Sequence, residues 1–179
     1  MHTVPILFIL AAALRLINSI LCRGIMNLSG EFVFDASQEI IWDLLMDPGV
    51  VANDIPGIDE FIPIEGEIDA WHAKAKISVA SVSGTYVGTV RMSEQAAPAQ
   101  YRLTVNGEGQ QSIIGGSVLI KLAYDVSNQQ TILTWDAETN VSGKLARVGQ
   151  RVIGAAAKMM SRRFFASVAQ QIDVETTDH

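Results

Sequence analysis

Residues 143–172 read GKLARVGQRVIGAAAKMMSRRFFASVAQQI, a stretch without proline. From Lys144 onward it predicts one helix about 43 Å long at 1.5 Å per residue. At 100° per residue, Lys144, Arg147, Arg151, Lys158 and Arg162 fall within roughly 60° of one another. Leu145, Gly149, Val152, Ile153, Ala156, Met160 and Phe164 fall in an arc of roughly 120° nearly opposite. Arg163 lands on the apolar side. A helix this long exceeds any strand expected elsewhere in the chain, so its apolar arc needs a whole sheet to cover it.

On that arc Gly149, Gly154 and Ala155 to Ala157 are too small to fill the usual gap between a helix and a sheet. Either the helix approaches the sheet closely or a cavity remains. Met159 and Met160 beside them suit an adaptable apolar lining. The basic stripe also has two readings. The segment holds 6 of the 13 Lys and Arg and none of the 19 Asp and Glu, leaving 7 basic against 19 acidic residues elsewhere. The stripe is either a solvated face paired with acidic neighbours or a docking surface for anionic headgroups or an acidic protein, at about 1 kcal/mol per basic residue at a charged membrane.

Upstream, the chain supplies the sheet. Leu28, Gly30, Phe32 and Phe34 alternate with polar positions as in a half-buried strand. Asp35 followed by Gln38 signals a helix start, and Ile41, Trp42, Leu44 and Leu45 form its apolar face. Asp47-Pro48 reads as an N-cap with proline at the first helical position, and Pro56-Gly57 ends that second short helix. Strand-like segments follow at about 61–67, 71–82, 85–93, 101–109, 117–127 and 131–140. Turn signals at Ser83-Gly84, Pro98, Gly115-Gly116 and Ser127-Asn128 imply an antiparallel meander. Gly107-Glu108-Gly109 reads as a bulge. The layout is α+β: a strand, two short helices, about six more strands and one long helix.

The first 25 residues differ from the rest. They carry no acidic residue and an apolar run from Val4 to Leu14, interrupted by Arg15 and resumed at Leu16, Ile17, Ile20 and Leu21. A signal peptide, a membrane anchor, and translation starting at Met26 all compete as readings. The segment lacks a positive n-region and a small-residue cleavage site. Arg15 would cost a membrane span roughly 2.5–3.5 kcal/mol. The chain therefore divides into an apolar extension over 1–25, one domain over 26–172 and a tail over 173–179.

Length and composition fit one core. The 179 residues are 49% hydrophobic and 18% charged, without bias toward disorder. A net charge of −6 argues against nucleic acid as a partner. Cys22, the lone cysteine, can form neither an internal disulfide nor a zinc site and is compatible with a reducing compartment. His2, His72 and His179 are too dispersed for a nucleophile–base arrangement, and His72 reads as a strand residue. No metal-ligand spacing or phosphate loop appears. A carboxylate base remains open, with Asp54, Glu65, Glu108 and Glu138 as candidates to face a cavity.

Several motifs, taken together at their separations, resemble one family. They are Asp47-Pro48 with Ile55-Pro56-Gly57, then Val82-Ser83-Gly84-Thr85-Tyr86-Val87-Gly88, then Gly107-Glu108-Gly109. The clearest is Gly143-Lys144-Leu145-Ala146-Arg147-Val148-Gly149-Gln150-Arg151, with Phe164-Phe165 closing the helix. From Met26 to about Gln171 the chain resembles the carbon monoxide dehydrogenase G-subunit family of the START-like (SRPBCC) superfamily. The resemblance implies a helix-grip fold, a curved antiparallel sheet of six to seven strands wrapped around the C-terminal helix and enclosing an apolar cavity. It implies a non-catalytic accessory role beside a molybdenum-containing hydroxylase, at the inner face of the cytoplasmic membrane. No intrinsic cofactor is implied; the ligand would be a hydrophobic molecule such as a quinone or lipid. Family members also stand beside oxidoreductases that act on other substrates. A cyclase or aromatase of the same superfamily, and a ligand carrier without an enzyme partner, are the alternatives.

Overall fold

A computed structural model describes residues 25–175, so the readings of the extension before Ile25 and of the last four residues lie outside the described residues. Strand β1 (Ile25–Phe34) leads into α1 (Gln38–Met46) and α2 (Pro48–Asp54). Six strands follow: β2 (Ile58–Pro63), β3 (Ala70–Val79), β4 (Val82–Ala96), β5 (Gln100–Gly109), β6 (Ser112–Asp125) and β7 (Gln130–Gly143). Helix α3 (Gln150–Glu175) ends the described chain. The strands form one antiparallel sheet in the order β1-β7-β6-β5-β4-β3-β2, a meander whose first strand closes onto the last. This is the START-like helix-grip architecture, a curved sheet holding a long C-terminal helix.

Local chemistry accounts for the helix boundaries. Ser37, not Asp35, caps α1, its hydroxyl accepting from the Ile40 amide, while the Asp47 carboxylate accepts from the Gly49 amide at 2.7 Å to start α2. Gln38 donates to the carbonyls of Pro98 and Leu122, both at 3.1 Å, and so ties α1 to the β4–β5 turn and to β6.

The glycine pairs are corrected by the structure. Ser83-Gly84 and Gly115-Gly116 lie inside β4 and β6. The chain reverses instead at Ala80-Ser81 and at Gln110-Gln111, where Ala80, Gln110 and Gln111 all take positive φ, the twist tight hairpins require. Gly107 pairs in regular register with Gly88 and Ile114, so it marks no bulge; the irregularities fall at 58–60 and 93–96. A Cβ on Gly88 would stand 1.9 Å from the Asn106 carbonyl oxygen, which is why that position is glycine.

The long helix is also shorter than the sequence implies. Residues 145–148 form a 3₁₀ turn, and Gly149 breaks the helix with φ +93° before its carbonyl accepts the first α3 hydrogen bond, from Ile153. Lys144 and Arg147 therefore do not share the α3 face with Arg151, Lys158 and Arg162.

Buried side chains gather in two clusters. Phe34, Leu45, Leu133, Phe165 and Val168 belong to the larger, and Met26, Val79, Val141 and Leu145 form the smaller. Along β7 the inward residues run Leu133, Trp135, Ala137, Thr139, Val141, passing from one cluster to the other.

Candidate functional site

Within the larger cluster the helix and sheet leave a cavity of about 400 Å³. On the sheet side its walls include Trp71, Met92, Tyr101, Leu103, Val118 and Trp135. Helices α1 and α2 contribute Leu45, Met46, Val51 and Ile55, and α3 contributes Ala157, Ser161, Phe164 and Phe165. Close approach and cavity both occur, at different turns of α3. A Cβ on Gly154 would sit 3.3 Å from Leu28, whereas one turn later Ala157 and Ser161 stop short of the sheet. The volume falls within the range of small-molecule sites, about 300–1,000 Å³.

The lining is almost entirely apolar. Of its hydroxyls, Ser161 donates to the Lys158 carbonyl and Thr139 to that of Met26. Among the described residues the buried hydroxyl without a hydrogen-bond partner is that of Tyr86 on β4, outside the lining, while the Tyr101 phenol in the lining is 3% exposed, its ring edge-on to Trp42 at 5.7 Å. Burial pushes this phenol well above its ordinary range, so it stays neutral and able to donate. The energetic consequence has a definite sign. Unfolding releases Tyr101 to ionise near pH 10, so the stability tied to the neutral phenol is intact below that pH and falls as pH rises above it. Denaturant midpoints should drop more steeply from about pH 9 to about pH 11 in the natural chain than in Tyr101→Phe, which has nothing to ionise there.

The sequence expectations for this site are met unevenly. Of the six α3-side residues expected to line a cavity, Phe164 does so. Ile153 and Ala156 pack against the smaller cluster. Met160 is half-buried outside the lining, and Val152 is 42% exposed. Gly149 has open space around it and serves as the helix break. The arc that faces the cavity is centred elsewhere on α3: at 100° per residue Ala157, Ser161, Phe164 and Phe165 fall within about 100°, and Val152 lies about 120° from Phe164 at its edge. Met159 is 48% exposed, so the methionines of the lining are Met46 and Met92 instead. The sheet half of the cavity is absent from the sequence reading, although alternate positions along each strand mark the inward face.

None of the four candidate carboxylates reaches the cavity. Glu65, Glu108 and Glu138 are exposed. Asp54 ends α2 and clasps it to α3, accepting from Ser167 Oγ at 2.8 Å and from Gln171 Nε2. His72 is exposed on the far face of β3, and no cluster of His, Cys, Asp and Glu among the described residues could hold a metal.

The basic residues of 144–163 are all exposed, Arg163 included, which corrects its placement on the apolar side. Arg151, Lys158 and Arg162 form one row on α3, within roughly 40° at 100° per residue. Exposed Val152 and Met159 adjoin them in sequence. The ion pairs found are Lys74–Glu60, Lys76–Asp59, Arg91–Glu67 and Arg102–Glu94, their cations all on strands. Among the described residues no basic side chain of 144–163 has an acidic partner. The described residues contain no helix long and apolar enough to cross a membrane.

Comparison with known proteins places this geometry. The carbon monoxide dehydrogenase G-subunit (CoxG) family matches residues 30–173. No curated protein matches the sequence. Among solved structures, a conserved protein from Geobacillus kaustophilus is 30% identical over 83% of this chain and 95% of its own, with a TM-score of 0.76. A START superfamily protein from Mycobacterium smegmatis is 12% identical, covering 84% of this chain and 98% of its own, with a TM-score of 0.59. The Zhui aromatase/cyclase from Streptomyces sp. R1128 is also 12% identical, covering 84% and 94%, with a TM-score of 0.58. At that identity the last two share the fold alone.

Proposed function

Because the chain belongs to the carbon monoxide dehydrogenase G-subunit family, we propose that it is a non-catalytic accessory protein of a molybdenum-containing hydroxylase of the carbon monoxide dehydrogenase type. It holds that enzyme at the inner face of the cytoplasmic membrane through the cationic face of α3 and carries an apolar ligand of the quinone class in its cavity.

The observation that carries this reading is the chemistry of the cavity: apolar and aromatic walls with the neutral Tyr101 phenol among them. A quinone offers a flat apolar ring with carbonyl acceptors, and Tyr101 is a neutral hydroxyl donor in the cavity wall. The row Arg151, Lys158 and Arg162, unpaired among the described residues, supports the membrane contact, since a merely solvated face on so acidic a protein would be expected to find acidic neighbours, as four strand cations do. A cyclase of the same fold needs an acid or base aimed at its substrate. Asp54, Glu65, Glu108 and Glu138 all lie elsewhere, which weighs against that alternative.

The test is native mass spectrometry with lipid extraction on the full chain purified from its own host, paired with affinity capture. The expected result is a bound isoprenoid quinone and a co-purifying molybdenum hydroxylase. Folded protein with an empty cavity would overturn the ligand assignment. Quinone without any hydroxylase would overturn the accessory role and leave a carrier.

A further inference from the structure

The walls of the cavity are not equally fixed. Its floor is a sheet in which every strand from β3 to β7 is hydrogen-bonded on both sides. Helix α1 is seated by Ile41, Trp42, Leu44 and Leu45, all buried. Helix α3 closes on β1 where Gly154 approaches Leu28, and again beyond the cavity through buried Phe165 and Val168. Helix α2 differs. It buries no residue, yet Pro48, Val51 and the C-cap Ile55 line the cavity. It continues into β2, an edge strand paired with β3 alone, whose Ile58 and Phe61 line the same side. Side chains that face a void forgo the dispersion contacts of a packed core, so this wall is the most easily displaced.

What holds α2 against α3 is polar. Asp54, the last residue of α2, accepts from Ser167 Oγ at 2.8 Å and from Gln171 Nε2, two donors about one turn apart on α3. Water can replace either bond, so each is worth little net and breaks readily. Val50 packs against the larger cluster from the first turns of α2, which leaves the end bearing Asp54 as the free one. Both ends of α2 are joints. Asp47 has extended backbone between α1 and α2, and Gly57 takes φ +87° beyond Pro56. The Gly57 carbonyl accepts from the Lys76 amide at 2.7 Å, which pins the far joint to β3 and confines any swing to α2 itself.

We propose that α2 is the gate of the cavity and that Asp54 is its latch on α3. When the bonds to Ser167 and Gln171 break, the last turn of α2 swings off α3 and opens a way in past Val51 and Ile55. The gate rests on the reading that the cavity takes up an apolar ligand. It gives that ligand a route which leaves the sheet and the α1 core undisturbed.

Thiol labelling of the full chain tests the gate without any quinone, so its outcome is separable from the ligand assignment. In a Cys22→Ser background, Val118→Cys places one thiol on the cavity floor, and Val141→Cys places one in the smaller cluster outside the lining. Each is treated with N-ethylmaleimide, with the latch intact and with both donors removed by Ser167→Ala and Gln171→Ala. Alanine suits a helix, so α3 is preserved. The expected result is labelling of Val118→Cys at least tenfold faster once the latch is broken, with the rate at Val141→Cys changed less than twofold. Asp54→Ala, which breaks the latch from the α2 side, should give the same acceleration. Equal rates at Val118→Cys with and without the latch would overturn the proposal. Parallel acceleration at both thiols would overturn it too, because the whole fold would then be loosening.

Discussion

Replacing Ala157 with phenylalanine is expected to weaken binding of a short-chain quinone at least about thirtyfold while leaving the fold intact. Ala157 projects from α3 into the cavity at the level where helix and sheet fail to meet. Large side chains usually strain a core because no room exists. Here the ring enters existing space, so the thermal midpoint should hold or rise. What it removes is ligand volume. Each methylene kept out of the apolar site forfeits about 0.8 kcal/mol, and two or three of them amount to about 2 kcal/mol. The cavity supplies its own reporter, since Trp71 and Trp135 both line it and a bound quinone quenches their fluorescence. Ala155→Phe, on the exposed side of the same helix, is the control. Unchanged quenching in Ala157→Phe would mean that the quinone binds elsewhere.

How much of this site the sequence revealed depends on which physical signal each part leaves behind. Capping left a clear one: Asp47-Pro48 starts α2 and Pro56-Gly57 stops it, because N-cap acceptors and proline act locally. The alternation of β1 likewise marked its inward face, confirmed by buried Met26 and Phe34 at its two ends. Gly149 was less legible. Its residue type is compatible both with a helix interior and with φ of +93°, and only the surrounding fold decides between them. Once that break is placed, Lys144, Leu145 and Arg147 drop out of the α3 faces, and the cavity side is set by Ala157, Ser161, Phe164 and Phe165 alone. Gly115-Gly116 failed for a related reason: paired glycines serve a reversing chain and a strand interior equally, while the glutamines at 110–111 that do reverse carry no usual turn signature. The cavity is a matter of depth, and periodicity reports only direction. Leu103, Val118 and Trp135 were each legible as inward, but the space between them and Ala157 depends on sheet curvature, which no single strand encodes.

Reversing the charge of the α3 row should have the largest effect of any surface change. In the triple variant Arg151→Glu, Lys158→Glu and Arg162→Glu, three basic residues worth about 1 kcal/mol each at an anionic membrane are lost. That alone is about 3 kcal/mol, or a factor of about 150, before the new repulsion is counted. Sedimentation with vesicles rich in anionic lipid should therefore fall at least about a hundredfold in affinity, and the natural chain should lose much of its own binding as added salt shortens the screening length. Vesicles of neutral lipid should retain little of either protein. The variant should fold normally, because these side chains are exposed and make no ion pair among the described residues. Lys121→Glu offers the matched control, an exposed cation on β6 with no ion pair among the described residues and away from α3. If the triple variant partitions as the natural chain does, the row is a solvated face, and recruitment must run through another surface. If binding instead survives reversal but is lost on replacing Val152 and Met159 with serine, the membrane contact is made by the apolar residues beside the row rather than by its charge.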